Sequence, residues 1–185
     1  MSPADRARAE RFNAAQADDL GYLHLQATRP QTLAYALNDS PVGQLAWIVE
    51  KFREWTDPVA ELPEQAVDRD QLLTNVSVYW FTGSGASSAH ATYEGMQAWR
   101  QMAARQAEEP DAGGTGHSGA APSGPPTGVA VFAADTTVRS RLDPDGTMHW
   151  SEFDHGGHFP AMEVPDLLAG DLRAFFRSLR TKESS

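Results

Sequence analysis

The sequence predicts an α/β fold with an incomplete sheet: a long helical section, then two short strands, then a closing helix. Three observations carry this. From Val42, apolar residues recur at helical spacing at Leu45, Ala46, Val49 and Phe52, and further helical segments follow. Two short apolar runs of buried-strand type follow, "GVAVFA" (128–133) and "TMHWSEF" (147–153). The chain then closes on a stretch with Leu167, Leu168, Leu172, Phe175, Phe176 and Leu179 on one face.

The elements follow in order. Residues 1–20 are rich in Ala and Arg and read as an N-terminal arm or helix. "GYLHLQA" reads as a short β-like run carrying Tyr22, Leu23 and Leu25. Ser40 is a good N-cap, and Pro41 suits the first position of the helix that follows. Trp55 widens the apolar face of that helix, and Asp57-Pro58 ends it. The segment 58–69 is polar and loop-like. Asp70 is placed to cap a second helix, "QLLTNVSVYWFTGSG", which ends at Gly83 or Gly85. A third helix is expected from Tyr93 to Ala107. Residues 21–107 thus form a helical section, and the Gly/Pro-rich residues 108–127 form a flexible loop. Residues 128–182 carry the strands, a histidine loop and the last helix.

Composition narrows the function. At 185 residues the chain is long enough for one domain with a core. Its net charge of -10 argues against nucleic acid and against anionic membranes as partners. The absence of cysteine excludes disulfides, thiol catalysis and thiolate metal sites. The charged N-terminus has no apolar signal-peptide core, and the apolar runs are too short to span a membrane. The expectation is a cytoplasmic protein.

Chemistry concentrates in "HWSEFDHGGHFPAMEVP", residues 149–165. Gly156 and Gly157 free the backbone to turn sharply after the second strand and deliver His158 into a loop above it. His155 lies on the other side of that turn. A general base needs a carboxylate to fix its tautomer, and Asp135, just past the preceding strand, is the candidate. Both would lie at the carboxyl edge of a parallel sheet, where open α/β sheets bind ligands. His149, Asp154, His155 and His158 also cluster, but their spacing fits no metal pattern. Alternation along a strand puts His149 and Asp154 on opposite faces.

"GYLHLQATRPQTLAYALNDSPVGQLAWIVEKFREWTD", "LLTNVSVYWFTGS", "PTGVAVFAAD" and "HWSEFDHGGHFPAMEVPDLLAGDLRAFFR", in that order, resemble the C-terminal half of a microsomal-type epoxide hydrolase of the α/β-hydrolase superfamily. The resemblance runs from about Gly21 onward, apart from the Gly/Pro-rich insert. It implies a helical lid followed by the last two strands and the C-terminal helix of that fold. It also implies hydrolysis of a small apolar epoxide to a vicinal diol through an alkyl-enzyme ester, with no cofactor and no metal. His158 in "GGHF" would activate water and Asp135 would orient it. Tyr22 in "GYLHLQ" and Tyr93 would be the lid tyrosines that hydrogen-bond the epoxide oxygen.

One part is missing from the pattern. The family's nucleophilic Asp sits on a strand-to-helix elbow before the lid, and no Asp before Asp135 has that setting. The expectation is a chain that is inactive alone, marginal as a monomer, and paired with a separate N-terminal half or with itself. Two other readings stay open: a truncated, inactive remnant or interaction protein, and a different hydrolase using His158 with Ser84 as nucleophile.

Overall fold

The structure is a computed structural model and describes residues 1–108 and 124–182. The Ser2 hydroxyl accepts the Asp5 N–H (3.0 Å) and opens α1 (Pro3–Asp18). Next come α2 (Gly21–Thr28) and α3 (Pro30–Asp39), with Pro30 at the first turn of α3. "GYLHLQA" is therefore helical, not β-like. A run this short has no decisive period, and its two buried residues, Gln26 and Ala27, are adjacent rather than alternating.

α4 (Pro41–Trp55) starts as its sequence predicts, with the Ser40 hydroxyl accepting the Gly43 N–H (3.0 Å). A short helix, α5 (Pro63–Ala66), interrupts the segment expected to be loop. α6 (Arg69–Thr82) is capped by Asp68, whose Oδ1 accepts the Gln71 N–H (3.0 Å), rather than by Asp70, which lies inside the first turn. Gly83, at φ +64°, ends it.

α7 (Ser84–Glu108) begins well before Tyr93. "SGASSAHAT" looks loop-like because Ser and Thr compete for backbone hydrogen bonds. Here the Ser87, Ser88 and Thr92 hydroxyls instead bond back to carbonyls three or four residues earlier. The expected loop at 108–127 falls mostly on 109–123, outside the described residues. After it come β1 (Gly128–Val131), α8 (Arg139–Leu142), β2 (His149–Glu152), α9 (Pro160–Glu163) and α10 (Pro165–Lys182).

The chain divides into two compact units: Met1–Asp18, Ala46–Asn75 and Pro126–Ser185 in the first, Asp19–Leu45 and Val76–Pro125 in the second. In the second, α2 and α3 pack on α7, with Ala27, Leu33, Ala34, Leu37 and Ala89 buried. Gly85 permits the close approach of α3: a Cβ there would lie 2.9 Å from that of Leu37.

In the first unit Phe52, Val67 and Leu72 form a core flanked by Phe159 and Met162. Phe52 and Phe159 stack at 4.1 Å. β1 and β2 pair in parallel, Gly128 opposite His149 and Val131 opposite Glu152. α10 covers β1, and Gly128 leaves room for the Phe175 ring, which a Cβ would meet at 3.0 Å. Asp171 of α10 accepts from the Ser151 hydroxyl and pairs with His149 Nε2 (2.9 Å).

α1 is tied to this unit by charge. The Arg8 guanidinium grips Glu152 with two bonds (2.8 and 3.2 Å). That pairing, with a third bond from the Trp150 indole, holds the Glu152 carboxyl below its ordinary range. Burial pushes the Asp5 carboxyl up, but the N–H groups of Arg139 and Ser140 outweigh it and leave the group lowered. Asp143 is lowered likewise: burial is outweighed by the N–H groups of Met148 and Thr147 and by Arg139. Among the described residues no helix is long and apolar enough to cross a membrane.

Candidate functional site at the carboxyl edge of the two strands

Past the ends of β1 and β2 the two chains keep bonding. Phe153 N–H donates to the Val131 carbonyl (2.8 Å), and Ala134 N–H donates to the Gly156 carbonyl (3.2 Å). The loop bearing Asp135 is thereby fastened to the loop bearing His158. Asp135 N–H closes a turn on the Phe132 carbonyl (3.0 Å). Its Oδ1 accepts both the N–H (2.7 Å) and the hydroxyl (2.6 Å) of Thr137. From α1, Arg11 donates to the Asp135 carbonyl (2.8 Å).

His158 is exposed, with its ring edge-on to Trp55 at 5.0 Å between centroids and to Phe159 at 5.1 Å. The His158 ring and the Asp135 carboxylate make no hydrogen bond or ion pair with each other; the backbone bonds join their loops. His155 is exposed too, with Nδ1 3.7 Å from Asp57 and Nε2 3.8 Å from Asp154.

The glycine pair does more than turn the chain. Gly156 has φ +81°, and a Cβ there would meet Val164 at 2.6 Å. A Cβ on Gly157 would strike the Trp55 carbonyl and lie 2.8 Å from the Thr56 Cα. Only glycine lets this loop press onto the backbone that leaves α4.

That contact brings in residues given no site role from the sequence. The Trp55 carbonyl accepts the His158 N–H (2.7 Å). Asp57 Oδ2 accepts the Gly156 N–H (2.8 Å). Glu163 accepts the N–H groups of Asp57 (2.7 Å) and Phe159 (2.9 Å). Glu163 is the acid of "GGHF-A-E-P", so the motif held the signal without revealing the partners.

In the second unit, Tyr22 is the second residue of α2 and Tyr93 lies within α7; both are half-buried, on two helices that pack together. Ser84 opens α7, and its hydroxyl bonds that of Thr82 (2.6 Å). Among the described residues no three His, Asp or Glu side chains converge as a metal site.

No protein-family model matches the sequence. Curated relatives do. The chain is 39% identical over 186 aligned residues to a Stigmatella aurantiaca protein named "Putative epoxide hydrolase", covering 98% of this chain and 38% of that protein. It is 35% identical to epoxide hydrolase 1 of Sus scrofa, over 84% of this chain and 33% of that one. The chain thus spans little more than a third of these relatives. Solved structures agree. The juvenile hormone epoxide hydrolase of the silkworm Bombyx mori superposes with a TM-score of 0.77 at 26% identity, over 99% of this chain and 43% of that one. The Aspergillus niger epoxide hydrolase does so at 0.66 and 27%, over 96% and 40%. By sequence and by fold, the chain resembles the C-terminal half of a microsomal-type epoxide hydrolase of the α/β-hydrolase superfamily.

Proposed function

We propose that this chain carries the water-activating half of an epoxide hydrolase site. A carboxylate supplied by sequence outside these 185 residues attacks an epoxide carbon, and the ring C–O bond opens. The Tyr22 and Tyr93 hydroxyls donate to the departing oxygen, and one gives it a proton. The product is an alkyl-enzyme ester. His158 then takes a proton from water, and the hydroxide adds to the ester carbonyl. The acyl C–O bond breaks, the alkoxide takes the proton from the imidazolium, and the carboxylic acid so formed returns its proton through solvent to the tyrosinate, leaving diol, carboxylate and neutral tyrosine. Asp135 holds the imidazole and stabilises its charged form. Both Thr137 bonds go to Oδ1 and orient the carboxylate, which leaves Oδ2 as the oxygen for the imidazole.

The observation that carries this reading is the Ala134–Gly156 bond, which joins the acid loop to the histidine loop at the carboxyl ends of two parallel strands. The substrate class is a small apolar epoxide, and the chemistry needs no metal or cofactor. The chain alone does not turn over. Leu167, Leu172 and Phe176 of α10 are exposed, which supports pairing with the rest of a sheet or self-association. A second reading, a non-catalytic interaction protein, is favoured by the absence of a His158–Asp135 hydrogen bond.

Co-expression with the N-terminal segment of an epoxide hydrolase relative tests the choice. Diol formation from styrene oxide, lost in His158→Gln, supports the catalytic reading. A stable complex with no turnover supports the interaction protein.

A further inference from the structure

The side chains around His158 form a closed set of bonds that the proposed chemistry does not itself require. Four consecutive residues, 156 to 159, carry the histidine. Three of their N–H groups are accepted from outside the loop's own turn. Gly156 N–H goes to Asp57 Oδ2 (2.8 Å), His158 N–H to the Trp55 carbonyl (2.7 Å), and Phe159 N–H to Glu163 Oε1 (2.9 Å). Glu163 Oε2 then closes the ring by accepting the Asp57 N–H (2.7 Å). One carboxylate therefore bonds both strips of backbone that flank the imidazole, the one leaving α4 and the one entering α9. Asp57 and Glu163 are both half-buried, the Asp57 side chain only 13% exposed, so water competes poorly for these bonds.

We infer that Glu163, acting with Asp57, is the positioning residue for His158. This rests on the proposed role of His158 as water activator. Glu163 touches neither substrate nor reacting atoms; it acts through the loop. The imidazole must sit within hydrogen-bond reach of both a water and Asp135, and misplacement of about 1 Å costs about a hundredfold. The backbone bonds fix where the loop starts and ends, and the Trp55 ring bounds the imidazole at 5.0 Å. A glutamate is suited to the task because two oxygens can each accept from a different strand of backbone. Glutamine keeps one acceptor and turns an N–H donor toward the other N–H, so it preserves half of the clamp.

Loss of Glu163 slows ester hydrolysis and leaves ester formation alone, because the first step uses the nucleophile and the tyrosines and not the imidazole. A general loss of structure would slow both.

The test has two arms. On the 185-residue chain, NMR reads the His158 ring protons, which the neighbouring Trp55 ring displaces from free-histidine positions. Glu163→Ala should return them toward free values while Val129 to Val131 amide signals stay, and Glu163→Gln should fall between. If Glu163→Ala unfolds the chain, Glu163→Gln decides. In the reconstituted pair, stopped-flow single turnover should show ester breakdown about 100-fold slower in Glu163→Ala and about 10-fold slower in Glu163→Gln. Ester formation should stay within about twofold, as should both steps in the exposed control Asp145→Asn. Unmoved ring protons in both variants, or equal slowing of both steps, overturns the positioning role. A wild-type pair that makes no diol removes the catalytic reading of His158 instead; the ring shifts then still decide whether Glu163 places the ring.

Discussion

Replacing Gly157 by alanine puts the proposed loop architecture under direct load. The new Cβ would strike the Trp55 carbonyl and sit 2.8 Å from the Thr56 Cα. Both are backbone atoms at the end of α4, so no rotamer change relieves the clash. Overpacking of this kind costs about 1–3 kcal/mol, and the rigid neighbours place it near the upper end. The shift also breaks the His158 N–H bond to Trp55 (2.7 Å), worth about 1 kcal/mol. Together these give a loss of about 3–4 kcal/mol, or roughly 10 °C in Tm for a chain of this size. Urea unfolding followed by tryptophan fluorescence measures it, since Trp55 lies at the contact. A change below about 0.5 kcal/mol would mean that the loop does not press on α4, and the positioning argument built on that contact would fall with it.

Other consequences follow from the same structure. Gly95 and Gly170 lie inside α7 and α10 with nothing within 4 Å of a built Cβ, so Gly95→Ala and Gly170→Ala should each stabilise by about 0.5–1 kcal/mol. Destabilisation in urea titration would contradict the helical environment of either. Asp171→Ala removes the acceptor of Ser151 and the partner of His149, and should lower stability by about 1–2 kcal/mol by calorimetry; no change would mean that water replaces both bonds. Glu152, Asp5 and Asp143 have lowered folded-state pKa values, so the unfolded chain binds more protons in acid. Their stabilisation is fully present above the ordinary carboxylate range of about 4 and is lost as pH falls through the lower folded values. Tm should therefore hold down to about pH 4.5 and drop below it; a Tm that rises on acidification would contradict the sign.

The parts of the fold visible in the sequence were those set by local chemistry. Ser40-Pro41 capped α4, Gly83 stopped α6, and the short apolar runs at 128–133 and 147–153 marked two strands that pair in parallel. The misses share a cause in packing between distant segments. "GYLHLQA" became α2 because α7 covers it, and "SGASSAHAT" became the start of α7 because Gly85 must approach Leu37. The same holds at the site. His158 and Asp135 could be named as candidates, and the turn at the glycine pair expected, because each has a residue-type signature. Trp55, Asp57 and Glu163 could not be, since Trp55 acts through its carbonyl and the two carboxylates act on backbone N–H groups, which any sequence possesses. Asp57 read as a helix stop and Glu163 as part of a motif, and only their shared bond joins residues 106 positions apart.

His158 is proposed to activate the water that cleaves an alkyl-enzyme ester. Intact-mass spectrometry of the reconstituted pair carrying His158→Gln, sampled after addition of styrene oxide, tests it most directly. A covalent adduct should persist on the nucleophile-bearing half, with breakdown slowed at least 100-fold, as loss of a general base implies. An adduct that clears at the wild-type rate would contradict it.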